Sequence, residues 1–86
     1  MIRIEDWKLL LIDGDDEARK ALSAFLEEAD YSVLNVADGE SGIELCREKF
    51  PQIIITEIDL LGIDGIEVLK TIKKAYPYRE VIVISA

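Results

Sequence analysis

The sequence predicts an α/β fold built on a parallel sheet with helices on both faces. Three observations carry this. Short apolar runs recur along the chain, stretches of helical periodicity separate them, and the two kinds of segment alternate strictly. The runs are apolar at successive positions, as strands are when both faces of a sheet are covered. Strand–helix alternation at this spacing argues for right-handed crossovers and hence parallel pairing.

The first strand, β1, is Lys8–Ile12, all apolar after the lysine. Trp7 just before it is expected to cover the lower rim of the sheet. The first helix, α1, follows Asp15 or Asp16, either of which can cap it and favour its dipole. Ala18, Ala21, Leu22, Phe25 and Ala29 recur at helical spacing and are expected to face inward.

Strand β2, Tyr31–Val36, mixes polar and apolar residues, as an edge strand does. Helix α2, about Glu40–Lys49, follows the Asp38-Gly39 turn, with Ile43, Cys46 and Phe50 expected inside. Gly42 should weaken it, since glycine costs a helix roughly 1 kcal/mol against alanine. Strand β3 is Gln52–Thr56. Helix α3, about Ile66–Ala75, should turn Ile66, Leu69, Ile72 and Tyr76 inward and stop before Pro77. Strand β4, Glu80–Ser85, closes the order β1-α1-β2-α2-β3-α3-β4. Residues 1–86 are expected to form a single domain.

Composition narrows the chemistry. The chain has 86 residues, a formal net charge of −8, no histidine and one cysteine. Without histidine there is no Ser-His-Asp or Cys-His catalysis and no HExxH zinc site. One cysteine cannot form an internal disulfide, so the chain reads as reduced and intracellular. The negative charge opposes nucleic acid and anionic membrane as direct partners. Apolar runs such as Leu9–Ile12 and Val81–Ile84 are four residues long, against the ~20 a membrane helix needs. Met1–Lys8 contains Glu5 and Asp6 and does not resemble a signal peptide. A soluble, cytoplasmic protein is expected.

In open parallel sheets, sites form at the carboxyl ends of the strands. Here those ends carry Asp13-Gly14-Asp15-Asp16-Glu17 after β1, Glu57-Ile58-Asp59 after β3, and Ser85 at β4. If β1 and β3 are neighbours, Asp13, Glu57 and Asp59 converge, and a hard cation such as Mg²⁺ is the natural compensation. Asp15, Asp16 and Glu17 are expected to cap α1 and solvate its loop.

The whole chain resembles the receiver domain of bacterial two-component response regulators, ending after the fourth strand. The resemblance rests on Lys8-Leu-Leu-Leu-Ile-Asp13, Arg19, Tyr31-Ser-Val and Ala37-Asp-Gly-Glu40. It continues through Ile53-Ile-Ile-Thr-Glu57, Gly62-Ile-Asp-Gly-Ile-Glu-Val-Leu69, and Pro77 before Val81-Ile-Val-Ile-Ser-Ala86. It implies a flavodoxin-like receiver fold with strand order second, first, third, fourth, and no final helix-strand-helix portion.

The resemblance also assigns roles. Asp13 fits the first acid of a Mg²⁺-holding pair, while Gly14 stands where the second acid belongs. Glu57 occupies the phosphoacceptor position, Asp59 the position whose backbone carbonyl reaches the metal, and Ser85 that of the switch hydroxyl. Leu61 replaces a common proline, and the lysine that pairs with the phosphoryl group has no counterpart. Glutamate is longer than aspartate by a methylene, so it is a misplaced nucleophile that imitates part of a phosphorylated state's charge. The expectation is a degenerate receiver that signals through contact with a histidine kinase or output domain, holds Mg²⁺ weakly if at all, and is not an enzyme.

Two other readings compete. Leu10-Leu-Ile-Asp13-Gly-Asp15 resembles the first motif of haloacid-dehalogenase-type phosphatases, with Asp13 as nucleophile and Asp15 as general acid. Alternatively the chain is an assembly module, a homo-oligomer pairing through an exposed apolar edge at Val81–Ile84. An EF-hand reading of Asp13, Asp15 and Glu17 fails because Ala18 and Ala24 stand where its glycine and glutamate belong. No GxGxxG or P-loop occurs. Cys46 is expected as a core residue, and Lys70, Lys73 and Lys74 as a solvated face.

Overall fold

A computed structural model describes residues 7–85. Four strands and three helices alternate: β1 (Lys8–Ile12), α1 (Asp16–Glu28), β2 (Ser32–Val36), α2 (Gly39–Lys49), β3 (Ile53–Glu57), α3 (Gly65–Ala75) and β4 (Glu80–Ile84). The strands pair in parallel in the order β2-β1-β3-β4, which is the order the resemblance implies.

Each helix starts on an aspartate whose side chain accepts a backbone N–H one turn on. Asp15 accepts from Ala18 (3.1 Å), Asp38 from Ser41 (2.7 Å) and Asp64 from Glu67 (2.9 Å). These caps satisfy donors that the first helical turn leaves unpaired. The cap of α1 is therefore Asp15.

The core lies between the sheet and the α2–α3 layer. Leu10, Ile12, Ile54, Cys46, Val68 and Ile72 are buried there, with Leu34, Val36, Ile43 and Val81 packed against them. Cys46 is a core residue, as expected. Gly42 has a purpose that helix propensity hides: a β-carbon there would lie 2.9 Å from Ile12 Cγ1, so α2 could not sit this close to β1.

Several inward-facing assignments shift. Phe25 is 68% exposed, and Ala18, Ala21 and Ala29 are exposed with it. The face of α1 that meets the sheet carries Arg19, Leu22, Ser23 and Leu26 instead. A polar chain fixes this rotation: Arg19 Nε donates to Asn35 Oδ1 (3.1 Å), Asn35 Nδ2 to Ser23 (3.3 Å), and Ser23 to Glu27 (3.2 Å). In α3, Val68 and Ile72 are buried while Ile66 is exposed, and in α2 Phe50 is a left-handed, exposed cap. Phe50 and Tyr76 sandwich the Arg79 guanidinium, at 5.3 and 4.0 Å from their ring centroids. Arg79 also donates to the Cys46 carbonyl (2.7 Å), joining the ends of α2 and α3 to β4.

Trp7 is half-buried below the sheet, and its carbonyl accepts from Ser32 N (3.3 Å). Lys73 is not merely solvated. Its ammonium donates to the carbonyls of Pro77 (3.0 Å) and Arg79 (2.7 Å), holding the α3–β4 turn.

Candidate functional site

The strand register brings Asp13 and Glu57 to adjacent positions. Ile12 pairs with Thr56 across β1 and β3, so the next residue on each strand sits at the carboxyl end of the sheet. Asp13 is 8% exposed. Its N–H donates to Val36 O (3.1 Å), and its Oδ1 accepts from Asp15 N (2.9 Å), closing a short side-chain turn.

Arg19 supplies the second anchor. Its Nη1 donates to the Asp13 carbonyl (2.7 Å) and its Nη2 pairs with Asp16 (2.7 Å). The sequence shows Arg19 only as a marker of register. Its function as a brace for the β1–α1 loop emerges once Asp13, Asp16 and Asn35 surround it.

Glu57 ends β3 half-buried. Thr56, fully buried beside it, donates its hydroxyl to the Glu57 carbonyl (3.0 Å). Gly65 opens α3 against that same carbonyl: a β-carbon would fall 2.8 Å from its carbon atom. Ile58 N donates to Ile84 O (2.9 Å), and Gly65 N to Ile58 O (2.8 Å), tying the β3–α3 loop to β4 and α3. The Asp64-Gly65 pair before an apolar run was the signal for this close approach.

Asp59 lies exposed in the loop after β3, and Ser85 is exposed directly after β4. Among the described residues, no three acidic or other metal-ligating side chains gather around one point. Asp13 and Glu57 are neighbours, but with Asp59 they do not make a three-carboxylate nest. Gly14 contributes no side chain, and Asp15 and Asp16 are engaged with Ala18 and Arg19. Among the described residues, no cation pairs with Asp13 or Glu57. Two carboxylates meet the least that a Mg²⁺ site uses, with water and phosphate oxygens completing the shell. The donor set is thin.

A family model for the response regulator receiver domain matches residues 9–86. The transcriptional regulatory protein AfsQ1 of Streptomyces coelicolor is 42% identical over 66 residues, 77% of this chain and 29% of that protein. LiaR of Bacillus subtilis, also a transcriptional regulatory protein, is 36% identical over 81 residues, 92% of this chain and 38% of that protein. The chain thus spans well under half of these relatives' lengths. Among solved structures, the response regulator TrrA of Thermotoga maritima, in complex with Mg²⁺ and BeF, superposes with a TM-score of 0.90. It is 25% identical, with 93% of this chain and 70% of that one covered.

Proposed function

The chain belongs to the response regulator receiver domain family, and from that premise we propose a receiver that signals by protein contact and is not switched by ordinary aspartyl phosphorylation. One observation carries this reading. At the strand ends where Asp13 and Glu57 meet, the residue after Asp13 is Gly14 and the would-be acceptor is a glutamate. The longer side chain puts a permanent carboxylate beyond the strand end, so the contact surface carries constant charge rather than charge gained on phosphorylation.

Mg²⁺ is at most a weak ligand here. The Asp13 and Glu57 carboxylates and the Asp59 carbonyl would hold it, and the ion would neutralise charge at the strand ends. The partner class is a histidine kinase or an output domain, and the domain itself turns over no substrate. The setting is the cytoplasm; among the described residues, no helix is long and apolar enough to cross a membrane. Self-association through the edge strand β4 is a companion property, since Val81–Ile84 ends the described sheet.

Intact mass after incubation with acetyl phosphate and Mg²⁺ tests the central claim. The expected spectrum is that of the unmodified chain. A stoichiometric phosphoryl adduct on Glu57 or Asp59 would sink it.

A further inference from the structure

The β3–α3 loop holds one leucine out to solvent. Leu60 and Ile63 pack against the core, whereas Leu61 between them is 91% exposed. Both ends of the loop are tied, Ile58 N to Ile84 O and Gly65 N to Ile58 O, and Gly62 turns it at a φ of 80°. Leu61 is thus a preorganised knob, which a contact need not order first. Carboxylates surround it. Asp59 and Asp64 are exposed on the same loop, and the Glu40 carboxylate lies against Gly62, 2.7 Å from where a β-carbon would stand.

A seat of matching character lies between α2 and α3. At their first turns the two helices touch, since a β-carbon on Gly39 would lie 2.7 Å from Val68 Cγ2. From the next turn on, a cleft of about 260 Å³ lies between them, lined by Ile43, Arg47, Thr71, Ile72, Ala75 and Tyr76. Small-molecule sites enclose ~300–1,000 Å³. This cleft is smaller and suits a single large side chain.

Its rim is cationic. Six of the chain's ten basic residues fall between positions 47 and 79, although the net charge is −8. Lys73 and Arg79 are bound to backbone carbonyls. Arg47 borders the cleft and pairs with Glu44, an exposed pair of the kind that exchanges readily. Lys70 and Lys74 form no ion pair among the described residues. With Glu67 they line a hollow on the outer surface of α3 that shares Thr71 and Ala75 with the cleft. Helix dipoles account for bases in the last turns of α2 and α3. They account neither for Lys70 nor for the apolar floor beside it.

We propose that this cleft seats Leu61 of a second copy of the chain, with the acids around that leucine facing Arg47, Lys70 and Lys74. The two surfaces differ, so the contact is heterologous: every pair leaves one leucine and one cleft unfilled and can add further copies. One side chain and its acidic ring bury less than the ~1,200–2,000 Å² of a stable interface, so the association is weak and depends on concentration. It uses neither a phosphoryl group nor the β4 edge. Its outcome is therefore separate from that of the acetyl phosphate experiment and from edge pairing.

The test uses the full chain and two variants at exposed positions, Leu61→Ser to remove the knob and Thr71→Glu to put an acid in the cleft. Raising the parent chain towards about 1 mM should shift the methyls of Leu61, Ile43 and Ile72 together and give sedimenting species larger than a dimer. Each variant alone should associate about tenfold more weakly, with its circular dichroism spectrum retained. Mixing the two should restore a pair and nothing larger, because Leu61 of the Thr71→Glu chain can enter the intact cleft of the Leu61→Ser chain. Self-association of Leu61→Ser equal to the parent's would overturn the proposal. So would a mixture no more associated than its components, an absence of methyl shifts at the highest concentration, or shifts confined to Ile82 and Ile84, which would assign association to β4.

Discussion

Gly42 on α2 packs its α-carbon against the Ile12 side chain of β1, with no space between them for a methyl group. Helix propensity alone says that alanine at this position should stabilise α2 by roughly 1 kcal/mol. Overpacking a core contact costs about 1–3 kcal/mol. Gly42→Ala is therefore expected to lower stability by up to about 2 kcal/mol in urea unfolding. A gain in stability would show that α2 can lift off β1 at little cost.

Gly14 is the opposite case. A β-carbon there meets nothing closer than the Ala37 carbonyl at 3.7 Å, an ordinary contact. An aspartate can enter the β1–α1 loop without displacing it. Gly14→Asp combined with Glu57→Asp should raise Mg²⁺ affinity about tenfold and permit a phosphoryl adduct, because a third carboxylate oxygen set joins Asp13. Titration calorimetry followed by mass spectrometry measures both; no gain in Mg²⁺ binding would leave Gly14 without a role in the degeneracy.

Hydrogen bonds from the Ser41 backbone and hydroxyl hold the Asp38 carboxyl below the usual aspartate range. A depressed folded-state value means the ionised cap stabilises α2 above the unfolded pKa, near pH 4. That contribution disappears as pH falls through the folded value. Asp38→Asn keeps the cap without the charge. The variant should lose less stability than the parent between about pH 4 and pH 2. Parallel acid-unfolding curves for the two proteins would refute this.

Arg79 joins three elements through one planar group, stacked between Phe50 and Tyr76 and bonded to the Cys46 carbonyl. Arg79→Ala is expected to cost about 2 kcal/mol. Lysine should recover little of it, since an ammonium cannot stack on both rings and reach the carbonyl together. Full rescue by Arg79→Lys in thermal melts would reduce the sandwich to a simple charge effect.

Burial pushes the Cys46 thiol up from its ordinary value, outweighing the nearby Arg79 guanidinium. The thiolate is the reactive form. Alkylation of the native chain by iodoacetamide at pH 8 should be slow and should accelerate on adding urea; a fast native reaction would mean that α2 opens locally.

The strands and their parallel pairing were legible because they rest on local signals, whereas the strand order that sets Asp13 beside Glu57 came from the family resemblance. Apolar runs give the strands, Asp15 or Asp16 gives the cap of α1, and alternation gives parallel pairing. The facing of the helices was less legible. In α1 the stripe Ala18-Ala21-Leu22-Phe25 and the stripe Arg19-Leu22-Ser23-Leu26 share Leu22 and differ by a partial turn. Apolarity favours the first. Asn35 and the Asp13 carbonyl, distant in sequence, select the second by bonding Arg19 and Ser23.

The sequence by itself therefore determined the α/β alternation, the absence of histidine chemistry, and the residues that end each strand. Those properties follow from short-range spacing and composition. Tertiary structure alone decided that Phe25 stands outside and that Gly42 and Gly65 are points of contact. Each depends on which distant surfaces come within a few ångströms, and the order of residues along one segment does not encode that.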